Sequence, residues 1–335
     1  MAGSGLRAVV VGATGNLGED VLDVLAEREL PLADLVPVAT DESLGRDVDF
    51  GGTSHPVLTG PVPLRAGDVV FLCVPPDAAA PWIRSALEAQ APCIDLSGSL
   101  AAREEVPLAV ADLAASRDAL RHPLVSSPPG AALALALLLA PLSARFGLRR
   151  VVATTFESAS GAGRGGVKAL EAEVVALFNQ EEPPESTVFA GPVAFDCVPE
   201  LEQPADPHGA GPIETALVGT VQRVLGAPVP IALTRVRVPT FAGLGMSVAI
   251  EAAEPASPEA IREALLKAPG VELWDPDAVG PTTRDAVSRP AVLVGRVRRD
   301  PTVPSGGVLL WIAADPVRLA ATNAVRIAES HLDLH

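Results

Sequence analysis

The 335-residue chain has 41 acidic residues against 25 Lys and Arg, a formal net charge of −16 that repels a nucleic-acid backbone and excludes that class of partner. With 48% apolar and 20% charged residues it has the composition of a globular protein with a large core, and its length suits two domains of roughly 100–200 residues each. The scattered Cys73, Cys93 and Cys197, and the histidines at 55, 122, 208, 331 and 335, form neither a disulfide framework nor a metal-ligand set, so a reducing cytoplasm is the expected home.

Residues 1–15 lack the pattern of a signal peptide, and the most apolar stretch, Ala131–Leu142, falls short of the ~20 residues that span a bilayer, so no membrane partner is expected. Leu6–Val11 is a continuous, β-branched run, as in a strand covered on both faces. The turn Gly12-Ala13-Thr14-Gly15-Asn16-Leu17-Gly18 follows, and then a helix over Glu19–Arg28 with Val21, Leu22, Val24 and Leu25 at helical spacing. Leu35–Ala39 and Asp68–Val74 read as strands, a helix starts near Asp77, and Cys93–Leu96 and Leu108–Val110 read as two short strands. Strands alternating with helices imply an α/β, Rossmann-like, doubly wound parallel sheet over residues 1–128.

After Pro128-Pro129 the pattern changes. An apolar helix from Gly130 to Arg145 leads to a strand, Arg150–Phe156, the loop Ser160–Gly166 and a helix to about Asn179. Residues 181–212 read as irregular. A helix over Ile213–Leu225 precedes strands at Ile231–Val238, Met246–Ala252, Ala291–Val297 and Val308–Ala313. The expectation is an α+β second domain over 129–314 with a mostly antiparallel sheet. The last helix, from Pro316 to Leu332 within residues 315–335, has no strand of its own and is expected to pack back on the first domain.

A strand, a glycine turn and a helix bring backbone N–H groups and a helix N-terminus to one point, which suits a dinucleotide pyrophosphate. The candidate cofactor contacts are Gly12, Ala13, Thr14, Gly15, Asn16, Leu17 and Thr40. The alternative is a tight turn that has lost its nucleotide, with no cofactor at all. Asp41 and Glu42, after the second strand, favour a free ribose 2′-hydroxyl over a 2′-phosphate, hence NAD over NADP, although Arg46 works the other way.

The run from Pro128 to Gly163, with Pro141-Leu142, Phe146-Gly147-Leu148 and Ser160-Gly161-Ala162-Gly163, resembles the aspartate-semialdehyde dehydrogenases. So do Val193–Pro199, Arg237-Val238-Pro239-Thr240 and Asn323-Ala324-Val325, and the resemblance spans the chain. It implies a fold whose second domain builds a dimer, by its sheet face and the residue 190–200 loop. It also implies reduction of aspartyl phosphate with NADPH, through a cysteine thiolate, a proton-moving histidine, an orienting glutamine and arginines for carboxylate and phosphate.

Carried over residue by residue, those roles are mostly missing. The nucleophile position falls on Gly130, the glutamine on Glu157, the histidine on Leu244 and the phosphate-binding arginine on Ala101. Arg237 matches the carboxylate-binding arginine, and Glu157 and Arg237 are the candidate substrate-binding residues, unless they pair with each other in a retired site. The nicotinamide loop is Cys73-Val74-Pro75-Pro76, whose prolines offer no N–H. Cys73 is the only cysteine placed to replace the missing thiol; its other reading is a small buried residue at a strand end. Without the nucleophile, about a million-fold in rate is lost. The expectation is a non-catalytic family member, a homodimer or the partner of an active paralogue, with two alternatives. One is an NAD-dependent oxidoreductase of altered chemistry on a carboxylate held by Arg237; the other is a nucleotide-binding sensor.

Overall fold

The computed structural model describes residues 6–199, 209–275, 277–303 and 306–331. The chain divides into two compact units, residues 1–129 with 320–335, and residues 130–319.

In the first unit β1 (Leu6–Val11), α1 (Asn16–Glu27), β2 (Leu32–Ala39), a hairpin of β3 (Asp47–Phe50) and β4 (Thr53–Pro56), β5 (Leu58–Thr59), β6 (Asp68–Leu72), α2 (Pro76–Ala89), β7 (Cys93–Asp95) and β8 (Leu124–Ser126) follow in order. Six strands form one sheet in the order β5-β2-β1-β6-β7-β8, with every pairing parallel. Alternation along β1 explains the double winding. Ala8 and Val10 join a core with Val21, Leu22, Val24 and Leu25 of α1, while Val9 and Val11 join one with Ala79 and Ala86 of α2.

One strand differs from the sequence expectation. Leu108–Val110 is not a strand; Leu108 makes an isolated bridge to Ser126, and the edge strand is β8. The reason is register: Cys93, Ile94 and Asp95 pair in parallel with Leu124, Val125 and Ser126, and the Cys93 N–H donates to the Pro123 carbonyl, which leaves the earlier segment outside.

In the second unit come α3 (Gly130–Phe146), β9 (Leu148–Glu157), α4 (Gly163–Phe178), β10 (Val198–Pro199), α5 (Pro212–Leu225), β11 (Ile231–Arg237), β12 (Leu244–Ala252), α6 (Pro258–Leu266), β13 (Val271–Leu273), β14 (Val292–Asp300) and β15 (Gly307–Ala314). The sheet order is β10-β11-β9-β12-β15-β14-β13, mixed but mostly antiparallel, with parallel pairs at β11–β9 and β13–β14. Helices α3, α5 and α6 pack on one face, towards which β12 turns the buried Met246, Val248 and Ile250. The alternate residues Thr154, Phe156, Thr234, Ser247 and Trp311 form the other face, half-buried or exposed.

The last helix, α7 (Pro316–His331), starts in the second unit and runs into the first. There Ala321, Ala324, Val325, Ile327 and Ala328 join the core of α1. Asn323 ties it further, donating to the Ala109 carbonyl at 2.9 Å and accepting from the Ala111 N–H at 2.8 Å. Leu332, His208 and His335 lie outside the described residues. Among the described residues no helix is long and apolar enough to cross a membrane, and no cluster of His, Cys, Asp and Glu suits a metal ion.

Candidate functional site

The first unit holds a cavity of about 520 Å³ at the carboxyl ends of its strands, where doubly wound sheets bind ligands. Gly12, Thr14, Gly15 and Thr40 of the expected cofactor contacts line it, together with Val62, Cys73, Val74, Pro75 and Trp82. The other three lie off the lining: Ala13 is fully buried in the core, Leu17 packs against it, and Asn16 opens α1.

Backbone crowding explains the glycines. Gly12 has φ +88°, and a Cβ there would lie 2.2 Å from the Cys73 carbonyl oxygen. A Cβ at Gly18 would lie 2.1 Å from the Gly12 oxygen, so the helix start sits directly on the turn. The first intrahelical bond runs from Glu19 N–H to the Gly15 oxygen. The N–H groups of Asn16, Leu17 and Gly18 therefore have no intrahelical acceptor, and the positive end of the helix dipole adds to them. A hydroxyl contact of 3.0 Å between Thr14 and Ser43 ties the turn to the segment after β2. The turn and cavity fit a dinucleotide.

Cys73 reaches this cavity but is poorly suited to attack. Burial pushes its thiol up, and the nearby Asp95 pushes it further, so the thiolate is scarce near neutral pH. Asp95 is itself fully buried, accepting hydrogen bonds from the Ser97 side chain and from the Ser97 and Leu100 N–H groups. Ala101 is buried close by in sequence and presents only a methyl group.

The second unit gathers a charged cluster at the end of β9. Glu157 Oε1 and Oε2 accept from Nε and a terminal nitrogen of Arg235 at 2.8 and 2.7 Å, a two-pronged pair. Arg237, the partner expected from sequence, lies at 3.5 Å from Oε2; one of its nitrogens donates to the Ser158 carbonyl at 2.6 Å, and its guanidinium lies over the Phe189 ring at 5.5 Å. The Glu157, Arg235 and Arg237 side chains are 12, 11 and 17% exposed. Burial alone would raise the Glu157 carboxyl, but the Arg235 bonds and charge, then Arg237 and Thr155, outweigh it and hold the group below the usual carboxylate range.

Register builds the cluster. Parallel pairing sets Arg235 beside Thr155 and Arg237 beside Glu157 on one face, and Leu244 of β12 stands opposite Glu157 on the other side of β9. Leu244 is 1% exposed, an apolar side chain that cannot exchange a proton with the cluster. The cluster borders a cavity of about 370 Å³, walled by Val188, Phe189, Val193, Val198 and Ile213. Arg235, Phe189 and Trp82 went unmarked in the sequence; the i, i+2 spacing of Arg235 and Arg237 was the available signal.

Gly130 opens α3, and the carbonyl of Pro316 stands where its side chain would be. A Cβ there would meet the Pro316 oxygen at 1.9 Å, its carbonyl carbon at 2.5 Å and its Cα at 2.7 Å. Asp315 fixes that segment: one carboxylate oxygen accepts from the Val317 and Arg318 N–H groups and the other from Ser288 N–H.

Residues 7–121 match the NAD binding domain of semialdehyde dehydrogenases, and residues 139–319 match their dimerisation domain. Aspartate-semialdehyde dehydrogenase 2 of Vibrio cholerae is 32% identical over 328 residues, 96% of each chain. The chain belongs to the aspartate-semialdehyde dehydrogenase family. The crystal structure of Vibrio cholerae aspartate semialdehyde dehydrogenase II complexed with ASA superposes with a TM-score of 0.92 at 30% identity, covering 98% of each chain. A second kind of relative is the USG-1 protein homolog of Azotobacter vinelandii, 34% identical over 96% of each chain. As a member of this family the chain carries a nucleotide-binding domain of the NAD(P) type and a domain of the type through which the family dimerises.

Proposed function

We propose that this family member is a dimeric binding or regulatory protein that does not catalyse semialdehyde oxidation. The observation that carries this reading is the Pro316 carbonyl 1.9 Å from the place of a Cβ on Gly130. The position to which the family resemblance assigns the nucleophile lacks a thiol and also lacks room for one. Three further features support it. Leu244 cannot carry a proton, Ala101 cannot grip a phosphate, and Cys73 is held as a thiol. Glu157, bonded twice by Arg235 and held ionised, makes a weak base, which argues against an oxidoreductase of altered chemistry using this cluster.

The first-unit cavity supports retention of a nucleotide, with NAD favoured over NADP because Asp41 and Glu42 are exposed just after Thr40 and no cation among the described residues lines the cavity. The face bearing Thr154, Thr234, Ser247 and Trp311 supports a homodimer, and an active paralogue offering the same face is the alternative partner. The deciding assay is oxidation of aspartate semialdehyde with phosphate and either NAD or NADP, run on the purified chain. The expected result is no turnover above the enzyme-free rate; reproducible reduction of either dinucleotide ends this reading.

A further inference from the structure

We propose that Trp82 is the base-recognising residue of the first-unit cavity, and that an adenosine 5′-phosphate moiety is by itself a sufficient ligand. This rests on the nucleotide reading above and narrows it to one half of the dinucleotide.

The turn residues Gly12, Thr14 and Gly15 line the cavity where α1 begins, which gives a phosphate a seat at the positive end of the helix dipole. The ribose has one in Thr40, at the carboxyl end of β2, where the Rossmann arrangement places a sugar. The rest of the lining includes Gly60, Pro61 and Val62 from the segment after β5, and Pro81, Trp82 and Ser85 from α2. Among the described residues Trp82 is the only aromatic one of the lining, and no Lys, Arg, Asp or Glu contributes to it. A base held there is held by apolar contact and stacking. Trp82 is half-buried and packs on the same apolar cluster as Val62 and Val74, so the indole is fixed before a ligand arrives.

The other half of a dinucleotide meets a poorer surface. The segment after β6 is Cys73-Val74-Pro75-Pro76, whose two prolines have no N–H, and the Ala78 N–H is already bonded to the Pro75 carbonyl at 3.0 Å. Little there can hold a carboxamide, so affinity concentrates in the adenosine half.

The test is calorimetry and tryptophan fluorescence on the full-length chain with AMP, NAD and nicotinamide mononucleotide. AMP and NAD are expected to bind within about tenfold of each other and to quench Trp82, with the mononucleotide far weaker. The other two tryptophans, Trp274 and Trp311, lie in the second unit, so Trp82→Phe should abolish the quench while keeping the affinity within about threefold. Trp82→Leu should weaken AMP by about tenfold or more, from the usual worth of base–aromatic stacking. A thermal melt of each variant shows that it folds. Undiminished AMP binding by a folded Trp82→Leu chain, or nicotinamide mononucleotide binding as tightly as AMP, overturns the proposal while nucleotide binding stands. No nucleotide bound by the unmutated chain at millimolar concentration overturns the nucleotide reading and the proposal with it.

Discussion

A cysteine placed at position 130 tests most sharply whether the start of α3 has room for a side chain. Gly130→Cys adds a Cβ that would meet the Pro316 oxygen at 1.9 Å, whereas ordinary contact starts at 3.4 Å, so the carbonyl would have to retreat by about 1.5 Å. That carbonyl is not loose, because Asp315 clamps the segment through three backbone N–H groups. Overpacking of this kind costs about 1–3 kcal/mol, which for a unit of this size lowers the melting temperature by about 2–12 °C. Gly130→Ala separates sterics from chemistry. In an open helix that change stabilises by up to about 1 kcal/mol, whereas here it should destabilise, because it carries the same Cβ. The assays are differential scanning fluorimetry on both variants and aspartate semialdehyde oxidation on Gly130→Cys. A Gly130→Ala protein that melts at or above the parent temperature, or a Gly130→Cys protein with measurable turnover, refutes the argument.

Other outcomes follow from the same geometry. Glu157→Gln leaves two arginines without their carboxylate and should cost about 3 kcal/mol at pH 7. Because the folded carboxyl is held below its ordinary value, that stabilisation is present above about pH 4.5 and lost as pH falls through the folded value. The gap in melting temperature between parent and variant should therefore shrink from pH 7 to pH 3; a constant gap contradicts the ion pair. Ser247→Arg, exposed at mid-sheet opposite Thr154 and Trp311, should leave the fold intact but shift the mass in light scattering from dimer to monomer, since a partner would bury an unpaired guanidinium. An unchanged dimer excludes that face. Cys73 and Cys93, whose thiols are both raised by burial, should resist iodoacetamide at pH 8 in the native chain and react once it is unfolded; rapid native labelling of Cys73 on peptide mapping would reopen its case as a nucleophile.

Local pattern made much of the fold legible. A β-branched run, a glycine turn and a helical repeat within Leu6–Arg28 specify one strand–turn–helix with little ambiguity, and β1 and α1 form there. Short segments were harder. Leu108–Val110 and Leu124–Ser126 are equally plausible as strands, and pairing with Cys93–Asp95 chooses between them. The β3–β4 hairpin around Gly51-Gly52 went unread although two glycines between short runs are a hairpin signal. At the second-unit cluster, sequence marked Glu157, Arg237 and Leu244 through the family motif. The dominance of Arg235 depends on the parallel register of β11 against β9, which no single segment encodes. The crowding at Gly130 depends on Pro316, 186 positions away in the chain, and was equally invisible.

The three glycines at the start of α1 would leave unequal marks in a mutational tolerance map. Alanine at position 12 or 18 drives a methyl group into a carbonyl about 2 Å away, so both positions should reject substitution whether or not any nucleotide is present. Gly15 differs: φ is −85° and its Cβ would lie 3.3 Å from the Gly12 oxygen, a tight contact relieved by a shift of a few tenths of an ångström. Depletion of alanine at position 15 would therefore report selection for a ligand, while depletion at its two neighbours in the motif reports only that the chain must fold.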